Sequence, residues 1–272
     1  MSEPIEVADP DDPRLDDFRD LTLADRRPDR PGGRGLVIAE GTVVVRRLLG
    51  SAYPVRALLG VARRFDELRA DLSSCAAPYY VVTAEVMAAV VGFHLNRGVL
   101  ATADRVVFPP VTQMLATAPS VVLLEGVGDH ENLGAIFRNA AALGVGAVLL
   151  GPGCSDPLYR RSVRVSMGTV LLVPFTVLDQ EWPAPAELLR SNGFEVVALT
   201  PRPSAVPLRA AGLAERKVAL LLGSEGPGLT DAALEAADLQ VRIPMAPGVD
   251  SLNVATAGAI AFAEIARSGA AH

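Results

Sequence analysis

The residues best suited to chemistry lie near the C-terminus, in Ile243-Pro-Met-Ala-Pro-Gly-Val-Asp-Ser-Leu-Asn-Val254. A short apolar strand is predicted to end at Ile243, and Ser251 and Asn253 then precede a run of small and apolar residues. Ser and Asn favour helix N-caps because their side chains accept hydrogen bonds from backbone N–H groups left unpaired in the first turn. The run Ala255–Arg267 predicts a helix that is apolar on all sides and therefore buried, in a core or against another subunit. A polar loop fixed by a buried helix indicates a small-molecule site.

Two upstream segments have the composition of ligand-binding loops. Glu125-Gly-Val-Gly-Asp-His-Glu-Asn-Leu-Gly-Ala-Ile-Phe-Arg138 predicts a helix that is capped by Asn132 and carries Arg138 nearly two turns in. Leu222-Gly-Ser-Glu-Gly-Pro-Gly-Leu229 places Glu225 among glycines, which let a ligand touch the backbone. Neither segment is a nucleotide-binding motif, because the glycine fingerprint is incomplete at position 131 and the GK[ST] of a phosphate loop is absent.

Each of the three loops, taken alone, also has a structural explanation. The first fits a well-capped helix with one surface arginine, the second a tight turn with a solvated glutamate, and the third helix capping plus a dimerisation helix. All three loops nevertheless follow strands and precede helices. Open α/β sheets bind ligands beyond the carboxyl ends of their strands, so the loops are expected to face one site.

The composition narrows the class of protein. The chain has 272 residues, half of them hydrophobic, which is enough for one large or two smaller domains. A net charge of −6 does not favour a non-specific nucleic-acid binder, although local basic patches are compatible with it. The two cysteines and three histidines have no disulfide or metal-ligand spacing, so no metal is expected. Without a signal peptide or a membrane-length apolar run, the protein is expected to be cytoplasmic and not bound to membranes.

The order of apolar segments predicts two α/β domains with mainly parallel sheets. Residues 1–34 read as a charged N-terminal extension, within which Leu15–Leu23 fits a short helix and Arg26–Arg34 a mobile connection. Residues 35–108 form the first predicted domain. The proline-flanked segment 109–119 is the predicted linker, and residues 120–272 form the second domain.

The predicted elements are as follows. Residues 35–108 contain strands at 36–39, 55–61 and 79–82 and helices at 42–51, 65–72 and 84–91. Residues 120–272 contain strands at 121–125, 147–150, 171–175, 195–199, 218–222 and 239–243, with helices at 132–143, 157–165, 184–192, 231–236 and 254–267.

In their joint order and spacing, the three loops resemble the motifs of the SpoU/TrmH branch of the SPOUT methyltransferases. That family moves a methyl group from S-adenosyl-L-methionine to a ribose 2′-hydroxyl in RNA. The matching residues are Asn132-x-Gly134-x-x-x-Arg138 for the first motif, Gly223-x-Glu225-x-x-Gly228-Leu229 for the second, and Ile243-Pro-Met245 with Ser251-Leu-Asn-Val254 for the third. The resemblance covers about residues 120–267. His130-Glu131 departs from the pattern, since many relatives carry Pro followed by a small or basic residue, but the spacing is kept.

The resemblance implies a SPOUT α/β domain with a deep trefoil knot, and a homodimer whose active sites lie at the subunit boundary. It implies that the cofactor S-adenosyl-L-methionine is cradled by Leu199, Thr200, Gly223, Ser224, Glu225, Ile243, Pro244, Met245 and Leu252. It further implies that the reacting end is lined by Asn132, Arg138, Glu225, Ser251 and Asn253, with no metal required.

The role of Arg138 is open between two alternatives. In the family the matching arginine is taken to activate the 2′-hydroxyl. A guanidinium stays protonated at neutral pH and is a poor base, so we favour a clamp on the neighbouring phosphate that also stabilises the developing oxyanion.

The first domain is similar to the substrate-binding module that many SpoU-type proteins carry, which itself resembles ribosomal RNA-binding α/β proteins. The resemblance rests on Val37-Ile-Ala-Glu-Gly41 and His94-Leu-Asn-Arg-Gly98. Arg46, Arg47 and Arg97 are expected to meet RNA phosphate there, and for each of them a solvated surface arginine fits equally well. A second domain of this kind favours a structured substrate, ribosomal RNA ahead of transfer RNA.

Two other classes of function compete with a methyltransferase. One is a catalytically silent RNA-binding or ribosome-assembly factor on the same scaffold, which the presence of all five reacting-end residues argues against. The other is a nucleotide-dependent oxidoreductase on a doubly wound fold, which the incomplete glycine fingerprint argues against.

Overall fold

The structure, a computed structural model, describes residues 3–21 and 35–266. The predicted mobile connection Arg26–Arg34 lies outside these ranges. Within them, no helix is both long and apolar enough to cross a membrane. Within the same ranges, no group of three or more His, Cys, Asp or Glu residues could hold a metal ion. Strands and helices are numbered in chain order.

The chain divides into two units. The N-terminal unit contains Met1–Val107 and Leu158–Leu172, and the C-terminal unit contains Phe108–Pro157 and Val173–His272. The expectation that 120–272 forms one uninterrupted domain is therefore wrong for Leu158–Leu172. This segment carries the short helix α6 (Arg160–Val165), which packs against the strand Val37–Glu40 of the N-terminal unit.

The N-terminal unit is built on a five-stranded mixed sheet with the order β1-β4-β3-β5-β2. Its strands are β1 Ile5–Glu6, β2 Val37–Glu40, β3 Val55–Gly60, β4 Tyr79–Val81 and β5 Val99–Ala103, and its helices are α1 Thr42–Leu49, α2 Ala62–Leu68, α3 Ala84–Val91 and α6 Arg160–Val165. β1, β4 and β3 are parallel, whereas β5 runs antiparallel to both β3 and β2. The sequence prediction of a mainly parallel sheet omits β5, whose five residues are all buried.

Part of the predicted N-terminal extension belongs to the core of this unit. β1 pairs with β4 through Ile5 and Tyr80. A 3₁₀ helix over Pro13–Phe18 then buries Leu15 and Phe18 completely. Side chains three residues apart lie on one face of a 3₁₀ helix, so an acidic segment still presents an apolar pair inward. Treating residues 1–34 as lying outside the first domain is therefore wrong for this part of the chain.

The C-terminal unit is built on a seven-stranded sheet with the order β10-β12-β9-β11-β6-β7-β8, in which all neighbours are parallel. Its strands are β6 Val121–Glu125, β7 Ala147–Leu150, β8 Phe175–Val177, β9 Glu195–Leu199, β10 Val206–Pro207, β11 Val218–Gly223 and β12 Leu239–Arg242, and its helices are α4 Val111–Thr117, α5 His130–Ala142, α7 Ala184–Ser191, α8 Asp231–Ala236 and α9 Val254–Ile265. The central strands are continuous apolar runs because both faces of a parallel sheet are covered.

Two predicted features of the C-terminal half are wrong. Of the strand expected at 171–175, Leu171 ends a 3₁₀ turn and only Phe175 belongs to a strand, β8. β8 begins after Pro174, which has no N–H to donate to a ladder. The predicted linker 109–119 contains α4, whose Met114 and Leu115 are buried in the core of the unit. Pro109 and Pro110 precede this helix and Pro119 follows its end, so the prolines flank a helix rather than an unstructured connection.

The parallel arrangement has one consequence for function. The loops that leave β6, β9, β11 and β12 all emerge at the carboxyl edge of the same sheet. This edge is where open α/β sheets place their ligands. Helix α9 begins after the loop that follows β12 and packs along α5, so the polar residues at the starts of both helices are held near each other.

Burial of Phe18 yields a test of the N-terminal assignment. Phe18→Ala should lower the free energy of unfolding by about 3–5 kcal/mol, because it leaves a cavity in a fully packed core. Denaturant unfolding of the full chain followed by circular dichroism measures the change. Val43→Ala is the control, since Val43 is 42% exposed and should change stability by less than about 1 kcal/mol. A Phe18→Ala protein as stable as this control would contradict the packing of the N-terminal segment.

Candidate active site

A cavity of about 560 Å³ opens at the carboxyl edge of the C-terminal sheet. Its walls come from the ends of β9, β11 and β12, from their loops and from the first turn of α9. Of the residues predicted to cradle a cofactor, the cavity is lined by Leu199, Thr200, Gly223, Ser224, Glu225, Ile243, Met245 and Leu252. Pro244 lies between two of these residues but is not part of the wall. Most of the wall is backbone and apolar side chain, which is typical of sites for small organic ligands.

The loop after β11 is a tight return that depends on glycine. Ser224 and Gly228 form an isolated antiparallel bridge, and the Gly228 amide donates to the Ser224 carbonyl at 3.1 Å. Gly226, at the tip, has φ +85°. A Cβ on Gly223 would collide with the backbone of Gly228 and Leu229. The backbone at Gly223 therefore packs directly against the backbone of Gly228 and Leu229 at the floor of the cavity. A side chain at position 223 would push these two parts of the loop apart.

Asn253 connects three elements through one side chain. Its Nδ2 donates to Asn132 Oδ1 at 2.7 Å and to Glu225 Oε1 at 2.8 Å. Its Oδ1 accepts from the backbone amides of Ala255 at 3.0 Å and Thr256 at 3.2 Å, so Asn253 is the N-cap of α9. Capping of α9 uses the side-chain oxygen of Asn253, and the bonds to Asn132 and Glu225 use its NH₂ group. The orientation of this side chain is therefore fixed by both sets of hydrogen bonds.

The prediction that Asn132 caps α5 is wrong. The N-cap is Asp129, whose Oδ1 accepts from the backbone amides of Glu131 and Asn132, each at 2.9 Å. Asn132 lies in the first turn of the helix, and its side chain is free to bond Asn253. Sequence reasoning overlooked Asp129, although an aspartate just before a helix with a further acid in the first turn is a typical start signal.

The other two predicted reacting-end residues, Ser251 and Arg138, are not part of the hydrogen-bonded set of Asn132, Asn253 and Glu225. Ser251 is exposed and lines the cavity. Arg138 is exposed on α5, is not part of the cavity wall, and makes no hydrogen bond or ion pair with any described residue. The structure thus joins Asn132, Asn253 and Glu225 in one hydrogen-bonded set, whereas Arg138 is exposed and has no partner among residues 3–21 and 35–266.

The charged residues in the cavity wall are Glu225 and Arg202. Glu225 is among the residues predicted from the sequence, whereas Arg202 is not. The Arg202 guanidinium donates to Asp231 Oδ1 at 2.5 Å, whereas Glu225 meets the neutral amide of Asn253. Glu225 is therefore the carboxylate in the wall without an ion-pair partner among the described residues. It favours a ligand that brings a positive charge to this end of the cavity.

In the N-terminal unit the two sequence motifs lie side by side. β2 and β5 pair, and the buried Glu40 carboxylate lies 3.9 Å from Arg97 and 3.3 Å from Arg160. Arg160 also lies 4.8 Å from the centre of the Phe93 ring, and burial lowers its pKa. Sequence reasoning missed Arg160 because it lies far along the chain and in no local motif.

The other two arginines expected to meet RNA have partners inside the protein. Arg46 Nε donates to Asp71 Oδ2 at 2.9 Å, and this hydrogen bond raises the pKa of Arg46. Arg47 donates to the Met167 carbonyl at 2.5 Å. Exposed ion pairs such as that of Arg46 hold their partners weakly, so they leave the guanidinium available to a phosphate.

Comparison with known proteins gives matches along nearly the whole chain. The model of the SpoU rRNA Methylase family matches residues 119–263. An uncharacterized tRNA/rRNA methyltransferase of Mycobacterium tuberculosis is 58% identical, covering 97% of this chain and 92% of that protein. The 23S rRNA (guanosine(2553)-2′-O)-methyltransferase RlmP of Bacillus subtilis is 35% identical over 54% of this chain and 58% of its own length.

The fold is similar to that of solved structures over nearly its full length. A crystal structure of an AdoMet-bound rRNA methyltransferase from Sinorhizobium meliloti superposes with a TM-score of 0.80 at 26% identity, covering 98% of each chain. The similarity therefore includes both the N-terminal and the C-terminal unit.

The glycine return provides a test of the cavity floor. Gly223→Ala should lower the free energy of unfolding by at least about 2 kcal/mol. The added Cβ would overlap backbone atoms of Gly228 and Leu229, which can move away only if the loop changes conformation. Gly128→Ala is the matched control, since its Cβ would meet only the Gly153 carbonyl at 3.7 Å, and its effect should stay below about 1 kcal/mol. Denaturant unfolding distinguishes the two variants, and equal stability would refute the tight return.

Proposed function

The chain belongs to the SpoU rRNA methylase family, and we propose that it transfers a methyl group from S-adenosyl-L-methionine to a ribose 2′-hydroxyl in structured RNA. Ribosomal RNA is favoured over transfer RNA, because RlmP, a relative with a named substrate, is a 23S rRNA methyltransferase. The observation that carries the proposal is the hydrogen-bonded set of Asn132, Asn253 and Glu225 beside the glycine-floored cavity.

The cavity fits the cofactor in size and in chemistry. Its volume of about 560 Å³ lies within the usual range for small-molecule sites. Leu199, Gly223 and Ile243 line the cavity, and backbone groups at such positions can bond the edges of a flat base without charged side chains. The Glu225 carboxylate offers a negative charge to a sulfonium. When bound, S-adenosyl-L-methionine supplies an electrophilic methyl group at that positive sulfur.

The residues around Asn253 orient the reacting groups. Asn253 fixes the Glu225 carboxylate and the Asn132 amide relative to each other, and Ser251 adds a hydroxyl to the same wall. Holding two reactants in line makes the reaction effectively unimolecular and can lower its activation free energy by several kcal/mol. In this proposal these side chains hold the ribose hydroxyl in place rather than bond to the transferred carbon.

Arg138 acts on the substrate in this proposal. An exposed guanidinium with no partner among the described residues is ready to bind a phosphate, and it can do so with two parallel hydrogen bonds. A protonated guanidinium also stabilises negative charge that develops on the attacking oxygen. We therefore assign Arg138 as phosphate clamp and oxyanion stabiliser rather than as base. In this proposal the O–CH₃ bond forms as the S–CH₃ bond breaks, the neutral thioether leaves, and the hydroxyl proton passes to solvent.

The N-terminal unit is proposed to recognise the RNA. Arg46, Arg47 and Arg97 would bind backbone phosphates, and for Arg46 the exchange costs little because its pair with Asp71 is exposed. Contacts of this kind position a nucleic acid without reading its sequence. This role is supported by the similarity of the whole chain, both units included, to the rRNA methyltransferase of Sinorhizobium meliloti.

The proposal includes a homodimer, a trefoil knot in the C-terminal unit and a cytoplasmic location. A dimer is supported by α9, whose solvent-facing residues are Thr256, Ile260 and Ala263. Small and apolar side chains on one helix face permit close packing with a second copy. Sedimentation equilibrium of the 28.5-kDa chain separates monomer from dimer.

Two measurements test the proposed activity. Calorimetry should detect binding of S-adenosyl-L-methionine to the purified protein, and no binding would favour a silent RNA-binding factor. Mapping of 2′-O-methyl groups in RNA from a deletion strain should show a lost site that the purified protein restores. If every 2′-O-methyl group is retained in that strain, the proposed reaction is wrong.

The role of Arg138 is tested by substitution. Arg138→Ala should lower kcat by at least about 100-fold, which is typical for loss of a donor to a developing oxyanion. Cofactor affinity should stay within about twofold, since Arg138 is outside the cavity wall. Arg209→Ala is the control, because Arg209 is 89% exposed on the same unit. Methylation at a similar rate in both variants would show that Arg138 has neither role.

A further inference from the structure

The Glu125 carboxylate lies at the carboxyl end of β6 and accepts three hydrogen bonds. Its Oε1 accepts from the Trp182 indole N–H at 2.8 Å and from the Thr230 hydroxyl at 2.9 Å. Its Oε2 accepts from the Thr230 backbone N–H at 2.8 Å. All three donors come from outside β6. The side chain therefore ties three separate segments of the C-terminal unit together.

These bonds hold the loop that forms the cavity floor. The loop leaves the sheet at Gly223, which pairs with Glu125 in the β6–β11 ladder. It re-enters regular structure at Thr230, whose hydroxyl caps α8 by accepting from the Ala233 amide at 3.2 Å. One residue thus fixes both ends of the loop, through its backbone at Gly223 and through its carboxylate at Thr230. Glu125 itself is not part of the cavity wall.

We propose that Glu125 is a positioning residue that sets cofactor affinity by clamping the loop between Gly223 and Thr230 into its binding conformation. The inference rests on the proposed function, because the ligand of this loop is S-adenosyl-L-methionine in that proposal. Glu125 touches neither cofactor nor substrate. It acts through Thr230 and through the backbone of the loop, with Trp182 holding the carboxylate from the other side.

The donors require a carboxylate at this position. An ionised carboxylate has two acceptor oxygens and no hydrogen. An amide of the same shape keeps one oxygen and replaces the other with an NH₂ group, which would face an N–H donor of Thr230 or Trp182. Aspartate is one methylene shorter and cannot span the same distances. The loop is consequently expected to loosen in Glu125→Gln even though the side chain keeps its size.

The test compares the full-length wild type with Glu125→Gln and with Glu195→Gln. Glu195 pairs with Arg216 at the opposite end of the sheet and controls for the loss of one carboxylate. Glu125→Gln should raise the calorimetric Kd for S-adenosyl-L-methionine about tenfold or more, because charge-assisted hydrogen bonds are lost. Its kcat at saturating cofactor should stay within about twofold. Glu195→Gln should leave both constants unchanged.

A raised Kd with a nearly unchanged kcat in Glu125→Gln distinguishes a positioning role of Glu125 from a purely structural one. Misfolding lowers the fraction of active protein and therefore the kcat, while the folded fraction keeps its Kd. A Glu125→Gln protein with an unchanged Kd, or with a loss confined to kcat, overturns the inference.

Thr230 supplies a second test that does not depend on the folding of Glu125→Gln. Thr230→Val keeps the shape of the side chain and the backbone N–H but removes the hydroxyl, and with it both the bond to Glu125 and the cap of α8. Thr230→Ser keeps every donor and the cap. Thr230→Val should weaken cofactor binding and Thr230→Ser should restore wild-type affinity. Equal affinity in the two variants contradicts the clamp.

Trp182 gives a direct signal for the contact, because it is the single tryptophan of the chain. Its fluorescence emission should differ between wild type and Glu125→Gln and should be the same in wild type and Glu195→Gln. Identical emission in all three proteins would show that the hydrogen bond is absent. If wild type itself fails to bind the cofactor, the proposed function and this inference fall together. If wild type and Glu125→Gln bind it equally, only the inference falls.

Discussion

The geometry of the site depends on the side chain of Asn253, which caps α9 and also bonds Asn132 and Glu225. The N-terminus of α9 needs an acceptor for its unpaired amides, and the Asn253 carbonyl provides it. The amide half of the same group then points toward Asn132 and Glu225. Because an asparagine has its donor and acceptor on opposite branches, capping the helix also aims the donor into the site. A helix-capping interaction of modest energy thereby connects three loops that are far apart in sequence.

The sheet determines that these loops can meet at all. In the C-terminal unit every strand pair is parallel, so the loops after β6, β11 and β12 emerge at one edge. Glu125 at the end of β6 and Gly223 at the end of β11 are register partners. The pairing of β6 with β11 therefore places Glu125 beside the start of the loop that forms the cavity floor. The buried apolar strands determine where the polar side chains of the site lie.

Much of this arrangement could be predicted from the sequence, because parallel buried strands and capped helices leave local signals. The strand Val121–Glu125 and the start of α9 at Val254 were predicted at their observed positions. The cap of α5 was assigned to Asn132 instead of Asp129, since both residue types are good caps and only the fold shows which one turns toward Asn253. The antiparallel β5, the pairing of Glu40 with Arg160 and the clamp at Glu125 depend on contacts between distant residues. No local pattern in the chain encodes such contacts.

The most direct test of this account is the methyl-transfer activity of Asn253→Ser, measured alongside its stability. Serine is about as good an N-cap as asparagine, so α9 should keep its start and the free energy of unfolding should stay within about 1 kcal/mol of wild type. Serine has no amide to bridge Asn132 and Glu225. We predict at least about a tenfold loss of methyl transfer to RNA in a protein of nearly native stability. Wild-type activity in Asn253→Ser would show that the bridge does not organise the site.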